Sequence, residues 1–148
     1  MASGYTNRGK YLILQGVFRN TGLPTNFFIG LVTSATAPVA GTTVLSGLTE
    51  IANGNGYTTG GFSLTKNSTD FDVLTEAATT LIQVKDVVWT ASVGNLPASG
   101  NGARYAVLLD DNVTVGSRQV LAWWDLVSDR TVSVGQTLTL QNLELDLT

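Results

Sequence analysis

The twelve residues TLTLQNLELDLT, 137 to 148, alternate between apolar and polar side chains with a period of two. Successive side chains of an extended chain point to opposite faces, whereas a helix would scatter these leucines around its axis. The segment therefore reads as antiparallel strand with one face buried. Its phase changes once: Leu138 and Leu140 share one register, and Leu143, Leu145 and Leu147 share the other. A slip of one residue moves every later side chain to the opposite face, so Gln141-Asn142 must hold a bulge in one long strand. TLIQVKDVVWTAS carries the same signature. Ile82 and Val84 are out of phase with Val87 and Trp89, which puts a bulge or bend at Lys85-Asp86.

Other apolar runs bounded by turn residues extend the pattern. NFFIGLVTS and GARYAVLLDD each read as a strand, FSLTKNSTDFDVL as two short strands around a KNST turn, and RQVLAWWDL as a strand separated by the turn LVSDR from TVSVGQT. Residues 35 to 61 are small and polar, with at most a short strand at Leu48 to Ile51. A connection of that length is more often functional than idle. Roughly seven to nine short strands with turns between them define a mainly β chain, an antiparallel β-sandwich of jelly-roll-like form. The start, TNRGKYLILQGVFRN, reads as a short helix with Thr6 or Asn7 as N-cap and with Tyr11, Leu14, Val17 and Phe18 on one face, an extended arm being the alternative. Residues 1–22 are thus an N-terminal arm or helix, and residues 23–148 a single β-sandwich domain.

Composition removes whole classes of chemistry. The chain has no Cys and no His, so disulfides, thiolate or imidazole metal ligands and Ser-His or Cys-His nucleophiles are excluded. The remaining acidic clusters are Asp70 with Asp72, and Asp110-Asp111-Asn112. Neither has EF-hand spacing, and Asp and Asn are the residues β-turns favour. GNGYTTGG does not match GxGxxG and lacks a following Lys-Ser or Lys-Thr, so it reads as a loop and not as a phosphate cradle. No cofactor and no catalytic site is expected.

Charge is sparse and uneven. Only 13% of residues are charged, about half the usual share of roughly 25%. Residues 1 to 49 contain Arg8, Lys10 and Arg19 and no acid. All eleven acids and the other five bases follow, so the two parts carry +3 and −6. The first third suits an acidic surface, a solvated basic face being the alternative that the counts allow equally. An acidic chain with scattered bases lacks the basic stripe that nucleic acid requires. No apolar run approaches the roughly 18 to 20 residues that span a bilayer, and MASGYTNRGKYLILQGVFR reads as mature protein. No membrane or nucleic-acid partner is expected.

Two of the three tryptophans are adjacent, and a strand sends them to opposite faces. Val120, Ala122, Trp124 and Leu126 make an apolar face, which assigns Trp124 to the core. Gln119, Leu121, Trp123 and Asp125 make a mixed face, which leaves Trp123 either exposed for another molecule or covered by the protein's own sheet and loops.

The order NRGKYLILQGVF, PTNFFIGLVTSATAP, LTEIANGNGYTTGGFSLT, VVWTASVGNLPASGNGARYAVLLDD, AWWDLVSDRTVSVGQTLTL and LELDLT resembles that of small structural proteins of tailed bacteriophages. The resemblance spans nearly the whole chain. It implies a virion protein with a jelly-roll-like sandwich, a decoration (cement) protein on the outer capsid surface, set as a homotrimer and bound to the major capsid protein. Related chains also serve as tail, fibre or receptor-binding proteins with a carbohydrate-contacting surface. On this resemblance Arg8, Lys10 and Arg19 are the capsid-contact candidates and Trp123 the subunit-interface candidate.

Overall fold

The computed structural model describes all residues from Met1 to Thr148. The elements in chain order are β1 (Ser3–Tyr5), α1 (Asn7–Arg19), β2 (Asn26–Val32), β3 (Phe62–Thr65), β4 (Val73–Thr75), β5 (Thr80–Val84), β6 (Val87–Thr90), β7 (Ala103–Leu109), β8 (Val120–Arg130), β9 (Thr137–Leu140) and β10 (Leu143–Leu147). Single 3-10 turns lie at Leu45–Gly47 and Val115–Ser117. The fold is the expected mainly β one, with antiparallel sheets and one short N-terminal helix.

One sheet has five strands in the order β1-β8-β7-β2-β3. Opposite it stand two smaller sheets, β10-β5-β4 and β6-β9. The main core lies between them: Ile29, Leu31, Ala106, Leu108, Ala122 and Trp124 from the large sheet meet Val84, Val87, Trp89, Leu138, Leu143 and Leu145 from the small ones.

The two predicted phase changes prove to be one feature. TLTLQNLELDLT is not a single bulged strand: β9 pairs with β6, and β10 pairs with β5 in the other small sheet. Both chains turn the same corner together, at Lys85-Asp86 and at Gln141-Asn142. Asn142 takes the left-handed backbone (φ 54°), a conformation that asparagine tolerates better than most residues. The Gln141 amide donates to Asp86 Oδ2 at 3.0 Å, joining the two corners. Leu138, Leu140, Leu143 and Leu145 consequently all enter the same core.

Strand β8 corrects two readings. LVSDR is not a turn but the end of the strand, where the register with β7 shifts between the Tyr105–Asp125 and Ala103–Arg130 pairs. Val127 at φ 72° absorbs the extra length, and Asp125 Oδ1 accepts the Val127 N–H at 2.7 Å. At the other end Leu108 pairs with Ala122 but Leu109 pairs with Val120, so Leu121 is an extra residue. This bulge moves Val120 to the outer face beside Val107 and Leu109, and it buries Leu121 in the main core. Simple alternation places both on the wrong side.

The outer face of the large sheet carries a second, smaller core. Val32, Val107, Leu109 and Val120 are covered there by Leu45 and Leu48 from the long 33–61 connection. That connection is fixed by backbone bonds at both faces of its path, including Thr33 N–H to Thr49 O and Val120 N–H to Thr43 O. The short strand expected at Leu48 to Ile51 is reduced to one bridge, Val32 with Glu50. Tyr57 anchors the far end: its hydroxyl donates to Glu50 Oε1 at 2.6 Å and accepts the Leu31 N–H at 3.0 Å. Arg118 lies 3.6 Å over the Phe28 ring and donates to Gly60 O at 2.8 Å, closing the same region.

Candidate docking surface

Residues 1–22 are built into the sandwich. Ser3–Tyr5 forms the edge strand β1 against β8, and the chain then enters α1 through Thr6. Thr6 is fully buried and acts as N-cap: its Oγ1 accepts the Gly9 N–H at 2.9 Å and donates to Val120 O at 2.6 Å, while its own N–H reaches Leu121 O at 3.0 Å. The helix end is closed by Asn20, left-handed at φ 51°, whose N–H reaches Gly16 O.

These contacts fix which face of α1 turns inward. Gly9 sits so close to β8 that a Cβ there would lie 2.0 Å from the Leu121 carbonyl oxygen. Gly9 and Leu12 are the buried residues of the helix, with Ile13 and Gly16 half-buried beside them. A surface helix ordinarily turns its apolar stripe to the core. Here the larger stripe faces out: Tyr11 is 50%, Leu14 59%, Val17 72% and Phe18 79% exposed. Tyr11, Leu14, Gln15, Phe18 and Arg19 line a shallow groove along this face.

The three bases border the stripe. At about 100° per residue, Arg8 and Arg19 fall on one side of the Tyr11-Leu14-Phe18 line, roughly 16 Å apart along the axis, and Lys10 falls on the other. Lys10 and Arg19 are exposed. Arg8 is half-buried, stacks 4.9 Å from the Tyr11 ring centroid and donates through Nε to Gln119 Oε1 at 2.5 Å, so part of its donor set is used within the molecule. Arg19 also stands in the last helical turn, where a cation offsets the helix dipole.

Trp124 is the most voluminous fully buried side chain, 1% exposed, and its Nε1–H donates to Glu144 O at 2.7 Å. Trp123 takes the opposite face, paired across strands with Gly4 and Val107. It is half-buried: its indole lies over Gly4, where a Cβ would come within 2.8 Å of the ring, and it packs on the outer core with Tyr105. The protein's own β1 and loops therefore cover one side of Trp123, and only the remainder is open to another molecule.

The acidic clusters, Asp72 apart, are occupied by the fold. Asp111 Oδ2 accepts the N–H groups of Thr25 and Asn26, and Asp110 Oδ1 accepts that of Gln119 at 2.9 Å. Asp70 accepts the Thr65 N–H at 2.6 Å and pairs with Lys85 Nζ at 2.5 Å, which holds its carboxyl below the usual carboxylate range. Asp72 is exposed. GNGYTTGG supplies the Tyr57 hydroxyl and the Gly60 N–H, both donated to Glu50 Oε1 at 2.6 Å. No three acidic side chains converge in metal-binding geometry. No helix is long and apolar enough to cross a membrane.

No family model, no curated protein and no solved structure matches the chain.

Missing from the sequence reading was the direction of the helix. Tyr11, Leu14, Val17 and Phe18 share one face, as expected, but the signal that sends that face outward is Gly9, whose missing side chain lets the opposite face approach β8.

Proposed function

We propose that the chain is a structural protein of a tailed-phage virion, a decoration (cement) protein that binds the outer surface of the capsid. One observation carries this reading: α1 holds an exposed aromatic and aliphatic stripe between Arg8, Arg19 and Lys10, on a segment without a single acid. Such a surface suits a partner that offers an apolar strip with acidic borders. The stripe buries against the major capsid protein and supplies affinity, while the bases supply orientation and rate. The low charge of the whole chain suits lasting burial of its other surfaces, since charged residues are depleted at interface cores. The open side of Trp123 is the contact between copies in a homotrimer.

A fibre or receptor-binding role uses the same exposed rings differently, with Tyr11 and Phe18 stacking on sugars. The two readings separate in one experiment. Purified protein is mixed with empty heads of the parent particle and, in parallel, with a glycan array. Saturable attachment in a fixed ratio to capsid protein, weakened by salt, supports decoration. Glycan binding without attachment to heads overturns it. Attachment by an Arg8→Ala, Lys10→Ala, Arg19→Ala variant with unaltered strength and salt dependence removes the bases from the account.

A further inference from the structure

A cavity of about 260 Å³ opens between the inner face of α1 and the edge of the sandwich. Its floor is Leu108, Leu121, Val84 and Leu145, all buried, and Phe27 and Phe71 meet edge to face at 5.5 Å in its wall. Leu23 and Lys66, both exposed, mark its mouth. The Lys66 ammonium donates to Pro24 O at 3.1 Å and has no carboxylate partner; the ion pairs of the molecule are Lys85 with Asp70 and Arg104 with Asp125. Lys66 is the one charged residue of the lining.

Protein interiors are packed like molecular crystals, and atoms around an unfilled apolar space forfeit contacts on one side. A collapse of α1 onto the sheet would relieve this, but the helix already touches β8 at Gly9 and cannot come nearer. The space is therefore held open by the same contact that sets the helix. An apolar cavity of about 150 Å³ stays dry and takes up benzene, so by proportion this one holds about ten carbons. A cation with two free N–H donors at the mouth selects a negative head group.

We infer that this cavity is a binding site for an amphiphile with an unbranched tail of about ten carbons and an anionic head group, the tail lying against Leu108 and Leu121 and the head paired with Lys66. The site is separate from the outer face of α1 and does not depend on the virion reading.

The test uses decanoate, 1-decanol and decyltrimethylammonium, each below its micelle-forming range, with methyl NMR spectra of the full chain. Decanoate and decanol should both shift the methyl signals of Leu12, Ile82 and Leu108, with decanoate tighter and decyltrimethylammonium weakest. Lys66→Met, at an exposed position that leaves the fold intact, should weaken decanoate roughly two- to fivefold and leave decanol unchanged. Ile82→Phe, which grows a half-buried side chain into the space, should abolish both. Absence of shifts at these methyls with decanoate and decanol overturns the proposal. So does binding of decyltrimethylammonium as tight as that of decanoate.

Discussion

The Cα of Gly9 rests against the carbonyl of Leu121, so closely that any Cβ at position 9 would stand 2.0 Å from that oxygen. Leu121 is the bulge residue of β8, and the same carbonyl receives the N–H of Thr6. A helix glycine, a strand bulge and a buried N-cap thus form one joint, and the joint decides that Tyr11, Leu14 and Phe18 face outward.

Gly9→Ala should destabilise the protein in spite of alanine's better helix propensity. The propensity gain is about 1 kcal/mol, whereas forcing a methyl group against backbone costs typically about 1–3 kcal/mol and more where nothing yields. Gly16→Ala is the contrasting case. Its Cβ would meet only the Leu23 side chain, which is exposed and can swing away. Urea unfolding should show a loss for the first variant and little loss or a gain for the second.

The adjacent tryptophans should respond unequally. Trp124→Ala empties the centre of the main core and strips Glu144 O of its donor, for a loss of about 3–5 kcal/mol. Trp123→Ala uncovers a half-buried site on the outer core and should cost clearly less. Equal losses in denaturant midpoint would show that the outer core carries as much of the stability as the inner one.

Two carboxylates set the acid limb of stability. Lys85 holds the Asp70 carboxyl below its ordinary 3.8, and Arg104 does the same for Asp125 by a paired contact at 2.8 and 3.1 Å. A lowered folded-state value means that each contribution is complete above 3.8 and is lost as the pH falls from there through the depressed value. Stability measured at pH 7 and then at falling pH should decline in that window, and Asp70→Asn or Asp125→Asn should flatten the decline.

Tyr57 sets the alkaline limb with the opposite sign. Burial first, then the neighbouring Glu50 carboxylate, pushes its hydroxyl well above 10.0. Its contribution is therefore complete below 10.0 and falls as the pH rises beyond it. Tyr57→Phe should remove that alkaline loss, while lowering stability at neutral pH because Glu50 and the Leu31 N–H lose their buried partner.

What the sequence made legible was whatever depends on period two within a single strand. The leucines of β9 and β10, the apolar run of β2 and the opposed faces of Trp123 and Trp124 follow directly from alternation. What it hid depends on contacts between distant segments. Lys85-Asp86 and Gln141-Asn142 each read as a local slip, and nothing in either segment says that they are partners in one corner. The bulge at Leu121 is invisible because Leu, Ala and Val are apolar in either phase, so a residue more or less leaves the pattern unchanged. The long connection from residue 33 looked like loop because its small polar residues carry no period, yet Leu45, Leu48 and Tyr57 tie it to the sheet. For the candidate site, the three bases and the apolar face were readable, but their arrangement around one stripe follows from helix geometry only once Gly9 fixes the inward side.

The proposed docking on a phage capsid is tested most directly by attachment of a Leu14→Ser, Phe18→Ser double variant to empty heads. Both side chains are more than half exposed and make no core contact, so circular dichroism and the urea midpoint should match those of the unaltered protein. If the stripe is the capsid contact, attachment should fall at least tenfold with the fold intact. Attachment at unaltered strength would contradict it, and would move the capsid contact away from α1.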